Sequence, residues 1–194
     1  MNKLSLDIKD EEFLRDKVPM TKEEVRHISI CKLNLSENSV LYDVGSGTGS
    51  VAIEAALLSS SIKVFAIETN PLAVELIKKN KAKFSAANVE VAEGLAPDVF
   101  KQLLCPTHAF IGGTKGNLQK ILAELYNKNP SMHIVINAVS LETISEITEV
   151  IKNFSIKNDE VIQVNISKAE KIGSHHLMKA YNPVYIFTFD FAGK

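Results

Sequence analysis

The sequence predicts an α/β fold: a doubly wound sheet of seven strands, with helices on both faces and the last strand antiparallel. Three observations support this prediction. Short runs rich in β-branched residues alternate with amphipathic stretches from residue 39 onward, as in a parallel sheet wound with helices. The first run ends directly in a glycine-rich turn. The segment before the last run lacks helical periodicity, so the last strand can return through a hairpin.

The strands are predicted from short apolar runs bounded by turn residues. We expect them at residues 39–44, 63–68, 89–93, 109–111, 133–137, 161–167 and 184–191. Residues 168–183 join the last two and contain Gly173 and Pro183. This segment favours a hairpin connection over a crossover helix, so an otherwise parallel sheet would end with one antiparallel strand.

The helices are predicted from apolar residues at helical spacing. They are expected at residues 50–58, 72–84, 98–104, 118–127 and 141–154, with a further helix at 22–33 before the sheet. Pro71 is suited to a first helical position, and Asn70 before it can cap the free amides. Thr21, followed three residues later by Glu24, predicts a capping box for the helix at 22–33.

Length and composition predict one globular domain over residues 1–194, with a helical entry segment at about 1–35. The net charge of −1 gives no global basic field, so we expect no nucleic-acid partner. Cys31 and Cys105 lack metal-ligand spacing, so we expect no metal site and interpret both as buried. Residues 1–13 do not resemble a secretory signal, and no apolar run approaches the ~20 residues that span a bilayer. We therefore expect a cytoplasmic protein.

The glycine-rich turn is the strongest functional signal. A strand ending in Asp43-Val44 is followed at once by Gly45-Ser46-Gly47-Thr48-Gly49, and a helical pattern begins at Ser50. Glycines let the backbone approach a ligand closely, and a helix N-terminus presents free N–H groups to polar or anionic atoms. The turn therefore predicts a site for a nucleotide-like cofactor.

Glu68 supplies the second half of that signal. It ends the next strand, 19 residues after Gly49, where a carboxylate can reach ribose hydroxyls. A nicotinamide dinucleotide loop would need a third glycine at position 50, which is Ser50, and the chain shows no second mononucleotide-binding half. The spacing G-x-G-x-G with Asp43 before it resembles class I methyltransferases. We therefore predict S-adenosylmethionine as cofactor, with a dinucleotide and a cofactor-free relic as alternatives.

Further motifs resemble one family, the decarboxylating cobalt-precorrin C15-methyltransferases of cobalamin biosynthesis. The similarity covers roughly residues 10–188 and rests, beside the glycine turn, on these segments: Pro19-Met20-Thr21-Lys22-Glu23-Glu24-Val25-Arg26, Ala66-Ile67-Glu68-Thr69-Asn70-Pro71, Glu93-Gly94-Leu95-Ala96-Pro97, Phe110-Ile111-Gly112-Gly113, Asn137-Ala138-Val139-Ser140-Leu141-Glu142-Thr143 and Asn182-Pro183-Val184-Tyr185. The resemblance implies a Rossmann-like class I methyltransferase fold. It also implies that S-adenosylmethionine contacts Thr21, the loop Gly45, Ser46, Gly47, Thr48 and Gly49, Glu68, and the turn Gly94, Leu95 and Ala96.

The family's reaction implies methylation of C15 of a cobalt-precorrin, with loss of carbon dioxide from the C12 acetate side chain. That substrate carries many carboxylates, so cations are expected near it. The substrate candidates are Lys115, Asn137, Glu142 and His176, with Lys168, Lys171, His175 and Lys179 as further cations. We name no catalytic base, because positioning supplies much of the rate enhancement in such a transfer. The resemblance also implies a homo-oligomer, with a tetramer as one option.

Two other functions remain open. A methyltransferase acting on RNA or protein commonly carries an N/D-P-P-Y tetrapeptide after the fourth strand, where this chain has Phe110-Ile111-Gly112-Gly113. The similar Asn182-Pro183-Val184-Tyr185 lies at the last strand, where we interpret the proline as a strand start. A module that binds S-adenosylmethionine without transferring its methyl group is the second alternative. The chain departs from the family at Lys115, where a small residue is usual, and at residues 129–132.

Overall fold

The computed structural model describes residues 8–193, and the prediction about a signal segment falls partly on residues outside this range. One sheet has seven strands in the order β3-β2-β1-β4-β5-β9-β6. Its strands are β1 (Val40–Val44), β2 (Lys63–Glu68), β3 (Val89–Glu93), β4 (His108–Ile111), β5 (His133–Ala138), β6 (Ile156–Val164) and β9 (Val184–Phe191). β1 to β5 are parallel, and β9 runs antiparallel between β5 and β6. The predicted fold class is confirmed, including the antiparallel last strand.

Helices cover both faces of the sheet, and the cause is the period-two alternation of the strands. They are α1 (Glu23–Leu33), α2 (Ser50–Leu57), α3 (Pro71–Lys83), α4 (Leu118–Lys128) and α5 (Leu141–Val150). In β1, Leu41 faces a core shared with α1 and α2, whereas Tyr42 faces one shared with α4 and α5. Asn70 caps α3 by accepting a hydrogen bond from the Leu72 amide, as predicted.

The connection between the last two sheet strands differs from the prediction. The strand expected at 161–167 is β6, which begins at Ile156 and ends at Val164, and its first residues are polar because β6 is an exposed edge strand. The following residues form a separate two-stranded hairpin, β7 (Ser167–Ile172) and β8 (His175–Ala180). The predicted hairpin-type connection to an antiparallel last strand is confirmed, but the seven expected strands did not include β7 and β8, whose exposed and mostly polar residues show no clear apolar alternation.

Helix ends and the cysteines give further corrections. The helix expected at 98–104 is a 3-10 helix, Asp98–Gln102, and α5 ends at Val150 in another, Ile151–Asn153. Both Cys31 and Cys105 are exposed, so the prediction of burial was wrong. Cys31 lies on the outer face of α1, and Cys105 lies in the loop before β4.

The predicted Thr21 cap is also wrong, because α1 is capped from a distant segment. The N-cap position is Lys22, without a side-chain cap. Instead, the Glu23 amide donates a hydrogen bond of 2.9 Å to Oδ1 of Asp10. Asp10 belongs to a short 3-10 helix, Asp10–Glu12, in the entry segment. A capping rule that considers only neighbouring residues cannot anticipate this donor and acceptor pair.

Residues 8–193 contain neither a membrane-spanning helix nor a metal-binding cluster. None of the helices within residues 8–193 is long and apolar enough to cross a membrane. Within the same residues, no three His, Cys, Asp or Glu side chains come together as a metal site would require.

Candidate active site

Two adjoining cavities open at the carboxyl ends of the parallel strands. The first cavity has a volume of about 290 Å³ and is lined by the glycine loop, the ends of β2 and β4, and the turn after β3. The second cavity, of about 410 Å³, lies beside it. They share Pro19, Gly45 and Gly112 as lining residues. In open α/β sheets, this edge is where ligands bind.

The glycine loop is packed between two other stretches of backbone. Gly45 and Gly47 have positive φ values of +74° and +57°, which favour glycine. A Cβ at Gly45 would lie 2.7 Å from the carbonyl oxygen of Gly113, and one at Gly47 would lie 2.7 Å from that of Pro19. The loop therefore leaves no room for a side chain on either side, and its backbone forms the cavity wall.

Asp43 fastens the loop to the start of α2. Its Oδ2 accepts hydrogen bonds from Oγ of Ser46 (2.6 Å) and from the Ala52 amide (3.1 Å). Burial raises the pKa of the Asp43 carboxyl to about 7, and those two hydrogen bonds only partly oppose the effect. These contacts hold the turn between β1 and α2 together.

Glu68 connects the glycine loop to the turn after β2 at the first cavity. Its Oε2 accepts a hydrogen bond from the Gly47 amide (2.9 Å), and its Oε1 accepts from the amides of Thr69 (2.7 Å) and Asn70 (2.9 Å). Oε1 also accepts a longer hydrogen bond of 3.4 Å from Oγ1 of Thr69. A carboxylate offers about four lone-pair sites, two on each oxygen, so the remaining acceptor capacity is on Oε2. Because Glu68 also lines the cavity, this oxygen can accept from a hydroxyl group there.

The predicted cofactor residues are divided among three places. Those that line the first cavity are Gly45, Gly47, Glu68, Gly94, Leu95 and Ala96. Ser46 and Thr21 line the second cavity instead. Thr48 and Gly49 line neither, and the Thr48 carbonyl accepts a hydrogen bond from Asn80 in α3. Direct cofactor contacts stay predictions for all ten residues, although six of them line one cavity.

Sequence reasoning also missed part of the first cavity. Its further lining residues are Val18, Pro19, Val44, Ile67, Thr69, Asn70, Ala73, Gly112, Gly113 and Thr114. The entry motif and the Gly112-Gly113 turn stood out as family motifs, but their closeness to the glycine loop is a contact between distant parts of the chain. Only the folded arrangement reveals it.

The second cavity is mostly apolar. Its lining beyond the shared residues is Met20, Thr21, Lys22, Val25, Ser46, Asn137, Val139, Val164, Ile166, Tyr181, Asn182 and Val184. Asn137 donates a hydrogen bond of 2.9 Å to Oγ of Ser29, which fixes its amide at the end of β5. In the tetrapeptide 182–185, Pro183 directly precedes β9, which starts at Val184, as the prediction of a strand start requires. Asn182 and Val184 of the same tetrapeptide also line this cavity.

The predicted substrate residues do not all reach the cavities. Lys115 lines the first cavity and donates a hydrogen bond to Oγ1 of Thr69. Asn137 lines the second. Glu142 is exposed in the first turn of α5 and lines none of the described cavities.

His176 lies outside the cavities too, because it is exposed on β8, which pairs only with β7. Two of the other cations already have acidic neighbours. Lys168 pairs with Glu24 at 2.6 Å, and Lys179 pairs with Glu170 at 2.9 Å. His176 is therefore not among the lining residues of either cavity, and its predicted role in substrate binding stays a prediction.

The fold and the first cavity together define a class of protein. A seven-stranded sheet with one antiparallel strand, a glycine loop between β1 and α2, and a carboxylate at the end of β2 are the features of a class I S-adenosylmethionine-dependent methyltransferase. The residues fit that cofactor, because the loop backbone lies open to the cavity and Glu68 keeps acceptor capacity.

Comparisons with known proteins agree with this class. A family described as a precorrin methyltransferase domain matches residues 11–190. A probable cobalt-precorrin-6B C(15)-methyltransferase (decarboxylating) of Sulfolobus acidocaldarius is 40% identical over 92% of this chain and 94% of its own. The cobalt-precorrin-6B C(15)-methyltransferase (decarboxylating) of Salmonella typhimurium is 35% identical over 92% of this chain and 93% of its own.

Solved structures give the same result. A precorrin-6y C5,15-methyltransferase from Geobacter metallireducens has a TM-score of 0.89 at 36% identity and covers 94% of this chain and 96% of its own. A precorrin 8w decarboxylase from Methanobacterium thermoautotrophicum has a TM-score of 0.85 at 31% identity, with 94% and 98% covered. The chain belongs to the precorrin methyltransferase family, and it is an enzyme that uses S-adenosylmethionine.

Proposed function

We propose that this enzyme methylates C15 of a cobalt-precorrin and releases the carboxyl group of the C12 acetate as carbon dioxide. The relatives named for that reaction match 92% of the chain. The observation that carries the proposal is the pair of adjoining cavities, since a cofactor site opens beside a larger, mainly apolar space. A largely apolar macrocycle with polar substituents suits such a space.

The first cavity binds the cofactor. Glu68 holds the ribose hydroxyls, Leu95 and Ala96 flank the adenine, and the loop from Gly45 to Gly47 lies against the rest of the molecule. S-adenosylmethionine supplies an electrophilic methyl group on its sulfonium sulfur. The enzyme's part is to hold the acceptor carbon in line with that methyl group and to keep water away, for which no catalytic base is required.

The second cavity binds the acceptor. Its apolar side chains, among them Val25, Val164 and Ile166, contact the ring, and Asn137 offers an amide held in place by Ser29. Lys22, which pairs with Asp10 at 3.3 Å, lines this cavity and Lys115 lines the other, so both can face carboxylates at the rim. Rim cations orient and steer such groups more than they add affinity. Glu142 and His176 are left out of this proposal because they line neither cavity.

Incubation with S-adenosylmethionine labelled on its methyl group and with cobalt-precorrin-6B tests the reaction. We expect label in the corrin product together with loss of the mass of carbon dioxide. RNA and protein acceptors form parallel arms of the experiment, and transfer to either of them in place of the corrin precursor would refute the proposal. Cofactor binding without transfer to any acceptor would support the non-catalytic alternative.

We also propose that the enzyme forms a homo-oligomer through the hairpin of β7 and β8. Ile172 and Leu177, which the strand register places on one face of the hairpin, are 59% and 54% exposed, and exposed apolar side chains on one face are typical of an interface. Leu177→Glu should lower the mass measured by light scattering, and a wild-type monomer would contradict the proposal. A cytoplasmic location stays a prediction, which fractionation of cells would test.

A further inference from the structure

The wall between the two cavities contains a stretch of chain without helix or strand. We call residues 18–22 the strap. Val18 and Pro19 line the first cavity, and residues 19–22 line the second. The strap lies against the glycine loop, since a Cβ at Gly47 would lie 2.7 Å from the Pro19 carbonyl oxygen. A change in its position would therefore alter both binding spaces.

One buried side chain fastens the strap. Arg26 in α1 is fully buried, and its Nη1 donates a hydrogen bond of 2.8 Å to the Thr21 carbonyl oxygen. Its Nε donates to Oε2 of Glu54, which is equally buried in α2. Because α2 follows directly on the glycine loop, this guanidinium connects the strap to the helix that supports the loop.

The same guanidinium holds the entry segment. Nη2 of Arg26 donates to the Ile8 carbonyl oxygen at 2.5 Å, and Nη1 also donates to Oδ1 of Asp10 at 3.1 Å. The guanidinium carbon of Arg26, Cζ, lies 4.9 Å from the centre of the Phe13 ring. A lysine ammonium is a single point charge and cannot reproduce such a planar fork of donors. The chain segments before and after the strap are thus fixed at one point.

We propose that Arg26 is a positioning residue, which sets the place of the strap and hence the geometry between cofactor and acceptor. A buried ion pair is often replaceable by apolar residues without loss of stability. The specific contribution of Arg26 is therefore the donor to Thr21, which an apolar residue lacks. Because a misplacement of about 1 Å can cost about 10²-fold in rate, the strap need move only slightly to impair methyl transfer. This inference rests on the proposed function for its kinetic arm only.

Two variants test the inference. Arg26→Lys keeps a positive charge beside Glu54 but loses the fork, and the double variant Arg26→Met with Glu54→Leu removes both buried charges. We expect the double variant to fold, because it leaves no unpaired buried ion. In both variants kcat/KM for the cobalt-precorrin should fall about 10²-fold. Calorimetry with S-adenosylhomocysteine should show weaker binding, and this arm needs no acceptor.

Asp190→Asn is the matched control. It removes the partner of His133, which begins β5 and therefore lies at the end of the strand remote from the cavities. The two side chains lie 2.5 Å apart. It should lower the unfolding temperature and leave the kinetic constants unchanged. If the Arg26 variants behave like this control, or if neither of them folds, the residue is purely structural and the proposal fails. If the wild-type enzyme does not methylate cobalt-precorrin, the proposed function fails. The calorimetric comparison of cofactor binding still decides the role of Arg26 in that case.

Discussion

Replacement of Glu68 by glutamine tests the carboxylate on which the cofactor site depends. In the wild-type protein one oxygen of Glu68 accepts from two amides, those of Thr69 and Asn70, and the other accepts from the Gly47 amide. Glutamine keeps only one oxygen, which best serves Thr69 and Asn70. Its amino group then faces the N–H of Gly47, so a donor lies against a donor.

The expected loss of cofactor affinity is estimated from the hydrogen bond between the Glu68 carboxylate and a ribose hydroxyl. A hydrogen bond to a charged group contributes about 1.5–3 kcal/mol. Glu68 is half-buried, so we take about 2 kcal/mol, from the lower part of this range. That value corresponds to an affinity for the cofactor weakened about 30-fold. Glu68→Ala removes both oxygens, and a loss of about 1–3 kcal/mol is expected for it too.

Calorimetric titration with S-adenosylhomocysteine measures the affinity directly. Glu93→Gln is the control, because Glu93 ends β3 beside Glu68 in the sheet register, is exposed and lines neither cavity. It makes the same change in charge at a neighbouring position. Glu68→Gln with an affinity within twofold of wild type, or an equal loss in Glu93→Gln, would refute the assigned role.

Three further predictions concern the glycine loop, the buried carboxyl of Asp43 and the pair formed by Asp190 and His133. Gly47→Ala should weaken cofactor binding at least tenfold, because its Cβ would lie 2.7 Å from the Pro19 oxygen, whereas Gly116→Ala, also at positive φ but with open space around it, should not. Burial raises the pKa of Asp43 from its usual value near 4 to about 7, so the wild-type protein loses stability as the pH rises from about 4 to about 7, and the advantage of Asp43→Asn in unfolding temperature should grow over that range and level off above it. Asp190→Asn should cost about 1 kcal/mol at neutral pH, or about 2–4 °C.

Each of these has its own contrary result. Equal binding losses in Gly47→Ala and Gly116→Ala would assign the effect to backbone strain alone. A difference between Asp43→Asn and wild type that is constant with pH would show that the buried carboxyl does not titrate there. Burial raises the pKa of Asp190, but the hydrogen bonds from His133 and Asn158 together outweigh burial. This carboxyl therefore has a pKa below its usual value. Its contribution to stability should therefore vanish as the pH falls below its usual range, and a calorimetric difference that persists in acid would contradict this.

Features that are encoded by neighbouring residues could be predicted from the amino-acid sequence. Alternating apolar residues specified the sheet strands and the two faces of the sheet, as Leu41 and Tyr42 illustrate. The glycine loop and Glu68 could be located because their chemistry depends on short spacing along the chain and on the geometry of one strand-helix-strand unit. Asn70 capped its helix as expected because a cap and its amide are two residues apart.

Contacts between distant residues could not be predicted in this way. Asp10 caps α1 in place of Thr21, Arg26 joins the strap to α2, and His176 lies on a separate hairpin and lines neither cavity. The second cavity forms between α1, the end of β5 and the segment before β9. The physical reason is that such contacts depend on packing between elements far apart in sequence, and local propensity carries no information about that packing.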